Sequence, residues 1–120
     1  MAVSSRAYIN EVLLVGRLSQ EPVVKTLASG DLILTWRLIV DRPADQWRTS
    51  RKAVDTFNCT SFDEQLFGQA KQWRPGEMLE VRGALRRRFW RGGSQYTIMV
   101  YAAKAHIPPG EREGKAVREH

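Results

Sequence analysis

The reading turns on "SFDEQLFGQAKQWRPG", Ser61–Gly76. Phe62, Leu66, Phe67, Ala70 and Trp73 fall on one stripe at helical spacing, which predicts an amphipathic helix with one face toward a core. Ser61 and Glu64 fit an S-x-x-E capping box, and Arg74-Pro75-Gly76 supplies the stop. No other stretch makes a convincing helix. The fold class therefore depends on where this helix interrupts a run of strands.

Upstream, "NEVLLVGRLSQEP" (Asn10–Pro22) is β-branched and apolar. Gly16 inside it suggests a bend or a close backbone approach, as at a barrel corner. Pro22 interrupts the run, and "VVKTLASGD" reads as a short strand ending in a turn at Gly30-Asp31. In "LILTWRLIV" (Leu32–Val40), Leu32, Leu34, Trp36, Leu38 and Val40 share the expected core face by period two. Ile33, Thr35, Arg37, Ile39 and Asp41 share the other. "DRPADQWRTSRKA" (Asp41–Ala53) has no period and several turn formers, so it is a loop. In "VDTFNCTSF" (Val54–Phe62), Phe57 and Cys59 alternate with Thr56, Asn58, Thr60 and Phe62.

Downstream, "EMLEVRGALRRRFW" (Glu77–Trp90) and "QYTIMVYAAKAHI" (Gln95–Ile107) are strands joined through Gly92-Gly93, which predicts a hairpin. Counting the long strands, the single helix falls between the third and the fourth. That ordering is expected of an all-β OB-fold, a five-stranded Greek-key barrel. A small α+β sandwich stays open, because periodicity alone does not close a barrel. One domain over residues 1–107 is expected, followed by a short polar tail at 108–120, rich in proline and glycine at its start and expected to be flexible.

Composition bears on partners. Of 120 residues, 19 are Lys or Arg and 13 are Asp or Glu, a formal charge of +6. That excess favours an acidic partner, nucleic acid first. A membrane is not expected: no apolar run approaches the roughly 18 residues of a spanning helix, and the N-terminus lacks a signal-peptide core. The single cysteine, Cys59, excludes an intramolecular disulfide and a multi-cysteine zinc site. Cytoplasmic residence is the expectation.

The chemistry concentrates in "GALRRRFWRGG", Gly83–Gly93. With Leu79, Val81, Gly83 and Leu85 inward, Arg82, Arg86, Arg88 and Trp90 lie on the opposite face. Arg86 to Trp90 spans on the order of 13 Å of strand. Single-stranded nucleic acid presents phosphates, which attract cations, and unstacked bases, which stack on flat apolar surfaces; a row of arginines with a tryptophan supplies both. Arg87 and Phe89 point the other way, and Phe89 is expected in a core or an interface. Trp47 sits in the basic loop with Arg48, Arg51 and Lys52, where it either stacks on bases or packs on the barrel. Arg37 is a contact candidate from the polar face of its strand. Arg17 and Lys25 are candidates for backbone contacts. Trp36 and Trp73 read as core. Phe62 is divided between the helix stripe and the outward strand face.

Catalysis finds little support. His106 and His120 are distant in sequence, and Cys59 reads as a small buried hydrophobe. Asp63 and Glu64 complement a helix N-terminus. Asp41 and Asp45 lack further ligands for a metal. No phosphate-cradling G-x-x-x-x-G-K loop occurs. No enzyme activity, metal or cofactor is expected.

"NEVLLVGRLSQEP", "SGDLILTWRLIV", "FNC", "RPG" and "VRGALRRRFW" followed by "YTIMV" together resemble the bacterial single-stranded DNA-binding protein family, over roughly Asn10 to Ile107. The resemblance implies an OB-fold that assembles as a homotetramer and binds single-stranded DNA without strong sequence preference, in replication, recombination or repair, in the cytoplasm with the nucleoid. The family's stacking tryptophan falls on Trp90 and its aromatic at the end of the third strand on Phe62. A third stacking position falls on Thr56, so that platform is absent. A fourth falls in the variable loop, near Trp47. Arg17 and Lys25 match positions near first-strand DNA contacts. Replicative members end in an acidic, apolar tip that recruits repair proteins. Here "GKAVREH" has balanced charge, which leaves such recruitment doubtful and fits a shortened chain or a tail-less paralogue. Two other readings stay open: an RNA-binding OB-fold, and a primosome-type subunit that docks an acidic partner.

Overall fold

The computed structural model describes residues 8–43 and 53–106. Trp47, Arg48, Arg51 and Lys52 and the tail at 108–120 lie outside the described residues. Within them the elements are β1 (Val12–Leu18), β2 (Val23–Thr26), β3 (Leu32–Asp41), β4 (Val54–Ser61), α1 (Glu64–Ala70), β5 (Met78–Trp90) and β6 (Gly93–Ala105).

The strands pair in the order β1-β5-β6-β4-β3-β2, and β1 pairs with β3 as well. The second pairing makes a closed ring of five strands, β1, β5, β6, β4 and β3. Among the described residues only β4 with β6 is parallel, at Cys59↔Ile98 and Thr60↔Met99. The short β2 pairs with β3 alone, Val23↔Thr35 to Thr26↔Leu32. It counts as a strand of its own, so α1 follows the fourth strand in chain order rather than the third. Pro22 stands just before it, and a turn with Leu27 N–H donating to the Asp31 carbonyl (2.8 Å) joins it to β3.

Closure depends on Gly16. Beside it β1 passes from β5 to β3: Gly16 pairs with Leu79, Arg17 with both Met78 and Ile39, and Leu18 with Leu38. A Cβ on Gly16 would run into the Ile39 carbonyl and stand 2.9 Å from Val40 Cγ2. The close approach expected at this glycine is what the structure holds. Gly83 marks a second one. The β5–β6 register slips from Arg82↔Ala102 to Gly83↔Val100, leaving Tyr101 as an extra residue on β6. A Cβ on Gly83 would meet the Met99 carbonyl. The slip is a β-bulge, which bends and twists the ribbon as a small barrel requires.

Leu34, Trp36 and Leu38 of β3 fill the interior with Cys59, Val81 and Ile98. Leu66 and Ala70 of α1, and Trp73 beyond it, join the same cluster. Trp36 and Trp73 meet edge to face, with centroids 5.2 Å apart and planes at 68°, the arrangement that ring quadrupoles favour.

Several local expectations are corrected. The helix cap is Asp63, whose Oδ1 accepts from Gln65 N–H at 2.9 Å; Ser61 ends β4, and its Oγ accepts from Asp63 N–H at 3.1 Å. The helix stops at Ala70, before Arg74-Pro75-Gly76, with Lys71 as C-cap. Trp73 N–H then donates to the Ala70 carbonyl at 3.1 Å. That turn carries the ring into the core. Leu32 is exposed and Ile33 buried, because Leu32 opens the strand beyond the cluster. Thr60, expected outward, is buried with Thr97, their hydroxyls 3.3 Å apart. The hairpin turn is Arg91-Gly92, with Gly93 already paired to Trp90.

Candidate nucleic-acid interface

Strand alternation builds one polar outer face from four neighbouring strands. Arg37 of β3 lies opposite Asn58 of β4, and Thr35 opposite Thr60. On the hairpin, Arg86 lies opposite Thr97 and Arg88 opposite Gln95. A groove of about 430 Å³ runs across this face and is lined by Lys25, Thr35, Arg37, Asn58, Arg88 and Gln95, among others. The sequence candidates Lys25, Arg37 and Arg88 thus meet in one depression, although 63 positions separate Lys25 from Arg88. One carboxylate, Glu21, stands at the lining as well. Arg37 Nε donates to Asn58 Oδ1 at 3.4 Å, a long bond that only loosely orients the guanidinium.

Aromatic rings bound the face along its length. Trp90 closes β5, is 55% exposed, and lies beside the turn. A Cβ on Gly92 would stand 3.6 Å from its Nε1, and one on Gly93 3.7 Å from its Cζ2. Phe62 follows β4 directly and is 48% exposed, so it leaves the helix stripe and joins the outer face. The last β4–β6 pair, Thr60↔Met99, stands two residues before Phe62 and six residues of β6 from the partner of Trp90.

Arg17 is placed differently. Its Nη1 donates to both oxygens of Asp41 at 3.1 Å. The pair lies at the β1–β3 junction, and Arg17 does not line the groove. In a second pair, Arg42 holds Asp55 at 2.7 Å. The hydrogen bond from Arg42 lowers the Asp55 carboxyl below its ordinary pKa, and Asp55 raises the guanidinium in return. Burial pushes the Cys59 thiol up to about 12, so it carries no thiolate near neutrality. Among the described residues, no group of three or more His, Cys, Asp and Glu could hold a metal ion. No described helix is long and apolar enough to cross a membrane.

Sequence reasoning missed the groove floor. Thr35, Asn58, Thr97 and Gln95 came into view only once the four strands were ordered side by side. Their outward alternation was the available signal. It also missed Asn10, whose Nδ2 donates to the Leu85 carbonyl (2.7 Å) while its Oδ1 accepts from Leu85 N–H (2.9 Å). That pair fastens the root of the hairpin.

The family profile described as "Single-strand binding protein family" matches residues 9–106. The chain belongs to that family. Single-stranded DNA-binding proteins of Enterococcus faecalis and Oceanobacillus iheyensis are 35% identical over 80 residues and 28% over 92, covering 67% and 77% of this chain. Single-stranded DNA-binding protein A of Bacillus subtilis is 28% identical over 97 residues. The matched segments are 42%, 56% and 56% of those relatives, so this chain matches about half of their length. A solved structure titled "Plasmodium falciparum SSB complex with ssDNA" superposes with a TM-score of 0.67 at 22% identity, over 81% of this chain and 92% of that one. The likeness establishes the OB-fold architecture that the ring of five strands describes.

Proposed function

We propose that this member of the single-strand binding protein family is a non-catalytic module that holds single-stranded DNA without strong sequence preference, and that it serves replication, recombination or repair. The observation that carries the reading is the outer face: Lys25, Arg37 and Arg88 share one groove, and the aromatic rings of Trp90 and Phe62 are both about half exposed. Cations capture the phosphate backbone, a sequence-independent and salt-sensitive attraction. Bases then stack on the rings, each stack contributing roughly 1–3 kcal/mol with little regard to base identity. Phe62, Arg86 and Arg88 act with Trp90 in this reading. The likeness to single-stranded DNA-binding proteins supports the same ligand. Copies of the chain would assemble as a homotetramer, so that one strand engages several faces at a high effective concentration. Residence in the cytoplasm with the nucleoid belongs to the same reading.

Titration with oligo-dT, the matching duplex and oligo-U, followed by tryptophan fluorescence at two salt concentrations, tests it. Preference for oligo-dT with quenching, weakened by salt, is expected. Trp90→Ala is expected to lose most of the quenching and about tenfold in affinity. A duplex bound as tightly as oligo-dT would make the protein a general polyanion binder instead. Light scattering tests the assembly, and a monomer at micromolar concentration would overturn the tetramer.

A further inference from the structure

The groove on the outer face has a chemistry of its own. Trp36 is the one aromatic residue in its lining, and it is buried. A base that enters the groove therefore meets no open ring. It meets Thr35, Asn58 and Gln95, together with cations and one carboxylate. Two of these groups stand as neighbours. Ser19 N–H donates to the Arg37 carbonyl at 2.9 Å, so the chain running on from β1 through Glu21 passes beside Arg37. Both side chains are exposed and line the groove. Neither forms an ion pair with the other or with any other group among the described residues. Arg37 Nε donates to Asn58 Oδ1 at 3.4 Å, which leaves the Nη1–Nη2 end of the guanidinium open. That end is a fork of donors without an acceptor, and the Glu21 carboxylate offers acceptors alone.

We propose that the groove gives the bound strand a modest preference for guanine, with Arg37 donating to O6 and N7 and Glu21 accepting from N1–H and the 2-amino group. The inference rests on the single-strand reading of the outer face and adds a base-selective contact to it. Guanine alone among the four bases presents two adjacent acceptors on one edge and two adjacent donors on another. Adenine sets its N6 donor beside N7, so it cannot take both prongs of a donor fork. Thymine separates its two carbonyls by a donor. Cytosine carries its single amino group on the same edge as its acceptors, so Arg37 and Glu21 would compete for that edge. A phosphate also fits an arginine fork, and charge decides between the two. Glu21 stands at the same lining and repels a phosphate, whereas it attracts the donor edge of guanine. Lys25, Arg86 and Arg88 remain for the backbone. The contact is exposed, which sets the expected preference at the low end for a bidentate arginine pair, about fivefold.

The experiment titrates the whole protein with end-labelled oligonucleotides of one length and follows their anisotropy. The host is oligo-dT, with every third thymine replaced by guanine, adenine, cytosine, 7-deazaguanine or hypoxanthine. The guanine series should bind about fivefold tighter than oligo-dT. 7-Deazaguanine, which lacks the N7 acceptor, and hypoxanthine, which lacks the 2-amino group, should each lose much of that advantage. Arg37→Lys keeps the charge and removes the fork, so its ratio of guanine to 7-deazaguanine affinity should fall to about one. Glu21→Ala should do the same to the ratio of guanine to hypoxanthine. Each readout is a ratio within one protein, so folding losses cancel. Equal affinity of the parent for every series, or tighter binding of adenine or cytosine than of guanine, overturns the guanine preference and leaves the single-strand reading intact. A guanine advantage that persists in Arg37→Lys and with 7-deazaguanine makes Arg37 a plain phosphate contact and overturns its assignment. Absence of binding to any of the oligonucleotides by the parent overturns the single-strand reading itself.

Discussion

Cys59 sits at 0% exposure, paired in register with Trp36 on one side and Ile98 on the other. Burial disfavours its thiolate and lifts the thiol from the model-compound value of 9.0 to about 12. The sign follows from linkage. The folded state binds the proton more tightly than the unfolded state, so this contribution to stability is whole below about pH 9 and is lost as pH climbs toward 12. Urea unfolding followed from pH 8 upward should therefore show a fall in midpoint that Cys59→Val reduces. A thiol reagent at pH 8 should label Cys59 only as fast as the protein unfolds. Labelling of the native protein at the rate of a free thiol would refute that burial. Gly16 makes a stricter demand. Gly16→Ala places a methyl against the Ile39 carbonyl, and overpacking of this kind costs about 1–3 kcal/mol. The urea midpoint of that variant should drop accordingly, whereas Gly68→Ala, with nothing within 4 Å of the added Cβ, should not destabilise.

At the scale of elements, what was legible in the chain was local. The helical period of Leu66, Phe67 and Ala70, the alternation of Leu34, Trp36 and Leu38, and the two long strands around a glycine-bearing turn each follow from neighbours a few residues apart. What was hidden is non-local. The β1–β3 closure involves only Arg17↔Ile39 and Leu18↔Leu38, and neither pair has a signature in sequence. The burial of Thr60 depends on a parallel neighbour, Thr97, 37 positions away. Leu85 keeps its inward parity but gains no cover, because the hairpin outruns the barrel; alternation reports a side, not what lies beyond it. The outrunning hairpin needs a root, and Asn10 supplies it by imitating one more residue of β1 against Leu85. Asn10→Ala removes two hydrogen bonds, each contributing about 0.5–1.5 kcal/mol net at most in so exposed a place. The expected result is faster amide exchange at Leu85 with core protection at Val81 unchanged. Oligo-dT affinity should fall by a few-fold, because Arg86, Arg88 and Trp90 are held less firmly. Unchanged exchange at Leu85 would show that the pin is dispensable.

Over the whole molecule, the formal charge of +6 does not act uniformly. Affinity for a single strand should fall with salt at a slope of about 0.7 per phosphate neutralised. That slope counts cations that exchange small counterions for phosphate. Arg88 lines the groove and has no carboxylate partner among the described residues. Arg17 is already faced by both oxygens of Asp41 at 3.1 Å, and releasing it would first cost that pair, worth about 0–1 kcal/mol at 40% exposure of each partner. The two arginines should therefore behave differently in one experiment. Arg88→Ala should reduce the magnitude of the log–log salt slope for oligo-dT by about 0.7, alongside a loss of affinity at low salt. Arg17→Ala should leave the slope near that of the parent. The double variant should match Arg88→Ala, since the sites lie on different surfaces and share no partner. If instead Arg17→Ala lowers the slope as much as Arg88→Ala, the strand leaves the outer face of β3 to β6 and crosses the β1–β3 junction, breaking the Asp41 pair on its way. The location of the phosphate path is thus readable from salt dependence alone.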